Sequence, residues 1–142
     1  MRSVRGALLA AACAGACGPS TGDLRGSWLV SIDGVHRAFV FAAASDARPE
    51  LAGERDVYLR YRYPFDQDPV VVETGRYHVD DGDLVTAVLW DETSLRVGQT
   101  LRAGLDDWDD DHFTLADPAQ GPLRFTRVGD LPRRPGQASR RR

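Results

Sequence analysis

Apolar and polar residues along this chain alternate in short runs, and turn-forming residues divide the runs. Ser27–Ile32 and Val35–Ala42 are two apolar runs on either side of Asp33-Gly34. Such an arrangement predicts a hairpin with a type I′ turn, which needs positive φ at both central residues. Residues 43–55 break the pattern and predict a loop with room for one helical turn and no more. Residues 56–63 alternate cleanly, with Val57, Leu59, Tyr61 and Tyr63 on one face and Tyr58, Arg60 and Arg62 on the other. That is the pattern of a half-buried strand. A turn at 64–69 precedes a strand over Val70–Val79, in which Gly75 predicts a kink or bulge. Further strands are predicted over Leu84–Trp90, Leu95–Leu105, His112–Ala116 and Leu123–Val128, joined by acidic turns at 80–83, 91–94, 106–111 and 117–122.

No stretch keeps a helical period for ten residues or more. The expected fold is therefore all-β: an antiparallel eight-stranded meander that closes into a barrel. A two-layer β-sandwich is the alternative.

Three stretches carry a resemblance. Gly26-Ser27-Trp28 opens the first strand. Gly75-Arg-Tyr-His-Val-Asp-Asp-Gly-Asp-Leu84 spans a hairpin, and Phe113–Gly121 leads into Leu123-Arg-Phe-Thr-Arg-Val128. Together they resemble the small bacterial lipoproteins with a lipocalin-like domain, over about residues 24–128. The resemblance implies a barrel, often bound to the cell envelope, with diverse ligands. It also implies that Trp28 packs across the closed end of the barrel and that Arg127 covers it. The insertion at 43–55 departs from that family's pattern.

The termini differ from this body. Residues 1–17 read as an export signal with a short helical core. Arg2 and Arg5 are followed by 11 apolar or small residues, Gly6–Ala16, too few for a membrane span of about 20. Ala14-Gly15-Ala16-Cys17 resembles the lipobox of bacterial lipoproteins, although Ala14 stands where Leu is usual. The resemblance implies a diacylglyceryl thioether and further acylation, such as palmitate, on Cys17. Several acyl chains anchor stably where one does not. Gly18, in place of the Asp that retains such proteins at the inner membrane, points to the outer membrane. Ordinary cleavage after Ala14-Gly15-Ala16, or lipidation at Cys13, are the alternatives. Residues 18–26 are expected to form a flexible tether, 27–128 the barrel domain, and 129–142 a disordered basic tail.

Charge and cysteine content narrow the chemistry. Segment 18–128 holds 11 Arg and no Lys against 20 Asp and Glu, an excess of nine negative charges. Such a body has no basic face for nucleic acid. Both cysteines lie within residues 1–17, so the body has no thiol for catalysis or metal binding. No Gly-x-Ser-x-Gly elbow, phosphate loop or dinucleotide fingerprint occurs. No cofactor is expected.

Three weaker candidates remain. Residues 106–111 hold five Asp, and Asp107, Asp109 and Asp111 are candidate ligands for a hard cation such as Ca²⁺. They lack the spacing of an EF-hand, and a solvated hairpin tip is the favoured reading. His36, His78 and His112 each lie beside a turn and show no short-range metal spacing. The Tyr58, Arg60 and Arg62 face could meet an anionic partner, but a solvated strand face is favoured. The expected function is thus a non-enzymatic envelope lipoprotein, anchored through Cys17, that binds a small apolar ligand or a partner protein. The alternative is a metal-dependent module or enzyme using the Asp106–His112 loop.

Overall fold

The computed structural model describes residues 18–64, 67–117 and 121–131. Residues 1–17, with the expected export signal and Cys17, and residues 132–142 of the expected tail lie outside the described residues.

Eight antiparallel strands form a closed barrel in sequence order. They are β1 (Gly26–Ile32), β2 (Val35–Ala42), β3 (Val57–Arg62), β4 (Val70–Asp80), β5 (Asp83–Asp91), β6 (Thr100–Asp106), β7 (His112–Asp117) and β8 (Gly121–Val128). The barrel closes where β1 pairs with β8, with Trp28 opposite Arg127. Every connection runs between neighbouring strands, so the meander needs no crossover.

Local chemistry sets the turns. Asp33-Gly34 and Asp81-Gly82 both take positive φ at both residues, 51° and 79° in the first and 50° and 79° in the second. Both turns thus match the type I′ geometry that twists with the strands. Gly75 lies at a register shift between β4 and β5. A Cβ there would sit 2.0 Å from the Ala87 carbonyl oxygen and 2.9 Å from the Tyr58 ring. Only glycine lets the walls come this close.

Strand alternation sorts the side chains into two cores. Inside the barrel, Trp28, Val30, Phe41, Tyr58, Tyr77, Leu84, Leu105, Phe113, Leu123 and Phe125 form one cluster together with Leu24. Outside it, Leu51, Val57 and Leu59 form a second cluster with Val40, Ala42, Tyr61, Val71 and Leu89. The 43–55 insertion supplies the lid of that outer cluster through a 3-10 turn, Pro49–Leu51, which lies on β4 and β5. Thr74 on the outer face donates to Glu50 at 2.6 Å, and Arg48 stacks 4.3 Å above the Trp90 ring.

Three expectations are corrected. The alternation of residues 57–62 is as read, but the face bearing Tyr58 and Arg60 is the interior one, not a solvated one. The outer face is apolar because the insertion covers it, so β3 is buried on both sides. The strand expected over Leu95–Leu105 begins only at Thr100. Residues 92–99 are a loop in which Ser94 and Gly98 take positive φ of 62° and 86°, so the alternation of Leu95 and Val97 has no strand behind it. Finally, residues 18–26 are not a free tether. A 3-10 turn, Gly22–Leu24, lies across the barrel end with Leu24 fully buried. Tyr77 donates its hydroxyl proton to the Thr21 carbonyl at 2.9 Å, and the Val79 N–H donates to the Thr21 hydroxyl at 3.0 Å.

Candidate functional site

The two ends of the barrel differ, and the difference locates the site. At the end where the chain enters, Trp28 is fully buried between Phe113, 4.7 Å away, and Trp108, 5.9 Å away. Its indole N–H donates to the Leu24 carbonyl at 2.8 Å. The Arg127 guanidinium lies 4.1 Å above the Trp28 ring and donates to the carbonyls of Asp23, Arg25 and Asp110. The pairing of Trp28 with Arg127 that the resemblance implied is present, and it closes this end.

The opposite end holds a cavity of about 280 Å³. Its inner part is apolar, lined by Phe39, Leu84, Leu101, Leu115, Leu123 and Phe125. Phe39 and Phe125 meet with ring centroids 5.5 Å apart and separate the cavity from the aromatic plug. The wall loosens here: β6 and β7 pair at Leu105 with Leu115 and Asp106 with Thr114, towards the closed end.

The polar part of the cavity is built around Glu73. Register places Glu73 on β4 opposite Arg60 on β3 and Asp91 on β5. It is only 3% exposed. Its Oε2 accepts the Tyr58 hydroxyl at 2.8 Å. Its Oε1 lies 3.3 Å from Arg60 Nη2 and 3.2 Å from Arg96 Nη1. A buried carboxylate is tolerated when it is paired and hydrogen-bonded, and this one meets both conditions. Burial, and then the charge of Glu73, hold the Tyr58 phenol far above its ordinary pKa, so it remains a donor. Arg96 reaches inward from the 92–99 loop, whose first turn is held by Asp91. The Asp91 carboxylate accepts the Thr93 hydroxyl, which lowers its pKa, and its carbonyl accepts the Ser94 N–H at 2.9 Å. Arg37 also lines the cavity, and it stands directly opposite Arg62 across the β2–β3 ladder. Arg62 pairs with Glu92 on the rim at 2.9 Å.

The residues singled out from sequence fall differently. Asp109 Oδ1 accepts the backbone N–H groups of Asp111 at 2.7 Å and His112 at 2.8 Å. These bonds lower its pKa, the Asp111 bond most. Asp107 takes a positive φ of 48°, and Asp107, Asp109 and Asp111 are all exposed. Their geometry is that of a turn closed by its own side chain. Among the described residues, no three His, Cys, Asp or Glu side chains gather where they could hold a metal ion. His36, His78 and His112 stay apart; His36 packs edge-on against Tyr63 at 5.7 Å. Tyr58 and Arg60 do belong to the site, but from inside the barrel. Glu73, Arg96 and Arg37 were not singled out. The signal for Glu73 was present, since it shares strand parity with Gly75, Tyr77 and Val79.

Among the described residues, no helix is long and apolar enough to cross a membrane. No protein-family model matches the chain, and no curated protein matches it.

Proposed function

We propose that this protein is a lipid-anchored envelope protein, tethered through Cys17 and outer-membrane in location, whose barrel binds a small, largely apolar ligand without catalysing a reaction. The observation that carries the binding reading is the cavity of about 280 Å³, apolar within and polar at its mouth. Small-molecule sites have this division of labour, and their volumes begin at roughly 300 Å³.

Geometry supports the anchor as well. Thr21 is fastened to the closed end of the barrel. Cys17 is four residues earlier. An extended chain covers at most about 3.6 Å per residue, so a lipid on Cys17 lies within about 14 Å of Thr21. A membrane held there meets the closed end and leaves the mouth free.

Two measurements test the reading. Mass spectrometry of the mature N-terminus is expected to show acylated Cys17, and Cys17→Ser is expected to release the protein from the membrane fraction. An unacylated N-terminus in a protein that washes off in buffer overturns the anchor. For the cavity, Ala103→Trp is expected to abolish binding of 1-octanol with the fold retained. Undiminished binding overturns the cavity as the site.

A partner protein at the mouth is the second reading, favoured by one observation. The exposed large hydrophobics among the described residues are Val35, Val70, Leu95 and Val97. All four lie on strand starts or the loop at the open end. Loss of a co-purifying envelope protein on Leu95→Ser with Val97→Ser would support it.

A further inference from the structure

We propose that the ligand is uncharged and carries a hydrogen-bonding oxygen, a hydroxyl or a carbonyl, which meets the Thr86 hydroxyl inside the cavity. This rests on the reading of the cavity as a ligand site and adds the residue that selects the ligand.

The charged groups at the cavity are already engaged. Arg37, Arg60, Glu73, Arg96 and Arg102 line it. Arg60 and Arg96 both lie against Glu73 Oε1, and Glu73 Oε2 accepts the Tyr58 hydroxyl. Arg102 donates to Asp80 at 2.7 Å and to Asp83 at 2.8 Å. Arg37 has a partner as well. A charged head of either sign would have to separate contacts that already exist and shed its own water to do so. Breaking a buried pair leaves the remaining charge uncompensated. An uncharged molecule leaves every one of these contacts in place.

Thr86 is the exception among the polar groups of the lining. It is only 7% exposed, and it shares strand parity with Leu84, which belongs to the interior cluster. Its side chain thus points into the barrel, where it lines the cavity. Across the two ladders it faces Tyr77 and Leu101. The Tyr77 hydroxyl is committed to the Thr21 carbonyl, and the Leu101 side chain has nothing to offer. Among the described residues, none hydrogen-bonds the Thr86 hydroxyl. A buried hydroxyl without a partner costs free energy. A buried water is a poor substitute here, since it makes about three hydrogen bonds and Leu84 and Leu101 beside Thr86 are apolar. A ligand that brings one neutral oxygen to Thr86 and apolar surface to the remaining wall satisfies both. Sites that hydrogen-bond a ligand group in this way discriminate against the analogue that lacks it.

The test uses the full chain carrying Cys17→Ser, so that its own acyl groups cannot occupy the cavity. Calorimetric titration compares cyclohexanol, cyclohexanone, cyclohexane, cyclohexanecarboxylate and cyclohexylammonium, with 1-octanol as the reference for the cavity. The carboxylate and the ammonium are expected to bind at least about tenfold more weakly than cyclohexanol. Thr86→Val is expected to weaken cyclohexanol about tenfold while leaving cyclohexane unchanged. Cyclohexanone is expected to weaken alongside it if Thr86 acts as the donor, and cyclohexanol weakens in either sense. Thr86→Ser, which keeps the hydroxyl, is expected to retain cyclohexanol binding. Val is close to Thr in shape and suits a strand, so the fold is expected to hold, and thermal unfolding checks it. The charge comparison needs neither Thr86 variant. Equal weakening of cyclohexanol and cyclohexane by Thr86→Val would mean that Thr86 only packs, which overturns the hydroxyl contact. Cyclohexanol binding untouched by Thr86→Val overturns it too. Carboxylate binding as tight as cyclohexanol overturns the uncharged ligand in favour of the arginines, and ammonium binding as tight overturns it in favour of Glu73. Binding of neither cyclohexanol nor 1-octanol overturns the cavity reading itself.

Discussion

Trp28 at one end of this barrel and Glu73 at the other are both buried, yet their surroundings are opposite in kind. Around Trp28 every neighbour is fixed: rings on two sides, a guanidinium above, and the Leu24 carbonyl on its only donor. Around Glu73 the neighbours are two arginines and a phenol beside empty volume. Close packing with every polar group bonded stabilises a fold. Convergent charge beside a void contributes less to stability than such packing, because desolvation offsets much of the attraction. A barrel of this strand number can be filled throughout or can keep a small space, and here each end takes one course.

The comparison is most easily broken at Trp28. Trp28→Ala removes the centre of the plug, the ring beneath Arg127 and the donor to the Leu24 carbonyl. Truncation of a buried aromatic costs about 3–5 kcal/mol, so urea denaturation is expected to show a loss of that size. A loss below about 1 kcal/mol would mean that the closed end is not the stabilising end. Next is Gly75→Ala, which thrusts a methyl group at the Ala87 carbonyl between β4 and β5. Overpacking of this kind costs about 1–3 kcal/mol, and the same denaturation curve reads it.

Alkaline pH tests both ends together. Burial, with nearby negative charge second, raises Tyr77 at the closed end to about 12. Burial also raises Tyr63, near the mouth, to about 12. Folding therefore favours the neutral phenols. Their contribution is complete below pH 10 and is lost as the pH rises towards 12. With solvent screening allowed for, each is worth on the order of 1–2 kcal/mol. Tyrosinate absorbance is expected to stay low through pH 10–11 and then to rise together with unfolding. A gradual rise centred at pH 10 in a folded protein would contradict the burial. Glu73→Gln belongs at the same scale or just below. It leaves Arg60 and Arg96 without their counter-charge, but both are partly exposed, at 27% and 39%. The expected loss is about 1 kcal/mol in thermal unfolding.

Which end is which was only partly legible from sequence. Turn chemistry revealed the hairpins, because Asp-Gly at 33–34 and 81–82 has one comfortable geometry. Gly75 announced its own bulge for a similar reason. The interior was harder. In residues 57–62 one face is apolar and the other carries Arg60 and Arg62, and period-2 alternation does not say which face looks into the barrel. The answer depends on the 43–55 insertion folding over the outer face, a contact distant in sequence. The polar cluster was hidden for the same reason. Arg60 looks like a surface residue until Glu73, on the next strand, is placed opposite it. Thr21 and Leu24 looked like tether because their partners, Tyr77, Val79 and Trp28, are supplied by the assembled barrel end.

The smallest expected effect sharpens the comparison by being nearly nothing. Leu95 and Val97 are 80% and 50% exposed on the loop that carries Arg96. Neither contributes a buried face, so Leu95→Ser with Val97→Ser is expected to change stability by no more than about 0.5 kcal/mol. The same double variant leaves Arg96 and its contact with Glu73 in place. If the mouth is a binding surface, 1-octanol affinity or a partner's affinity falls while the melting temperature holds. If the melting temperature falls instead, the loop is part of the core. The open end would then be stabilised by packing as the closed end is, and the contrast between them would be one of degree.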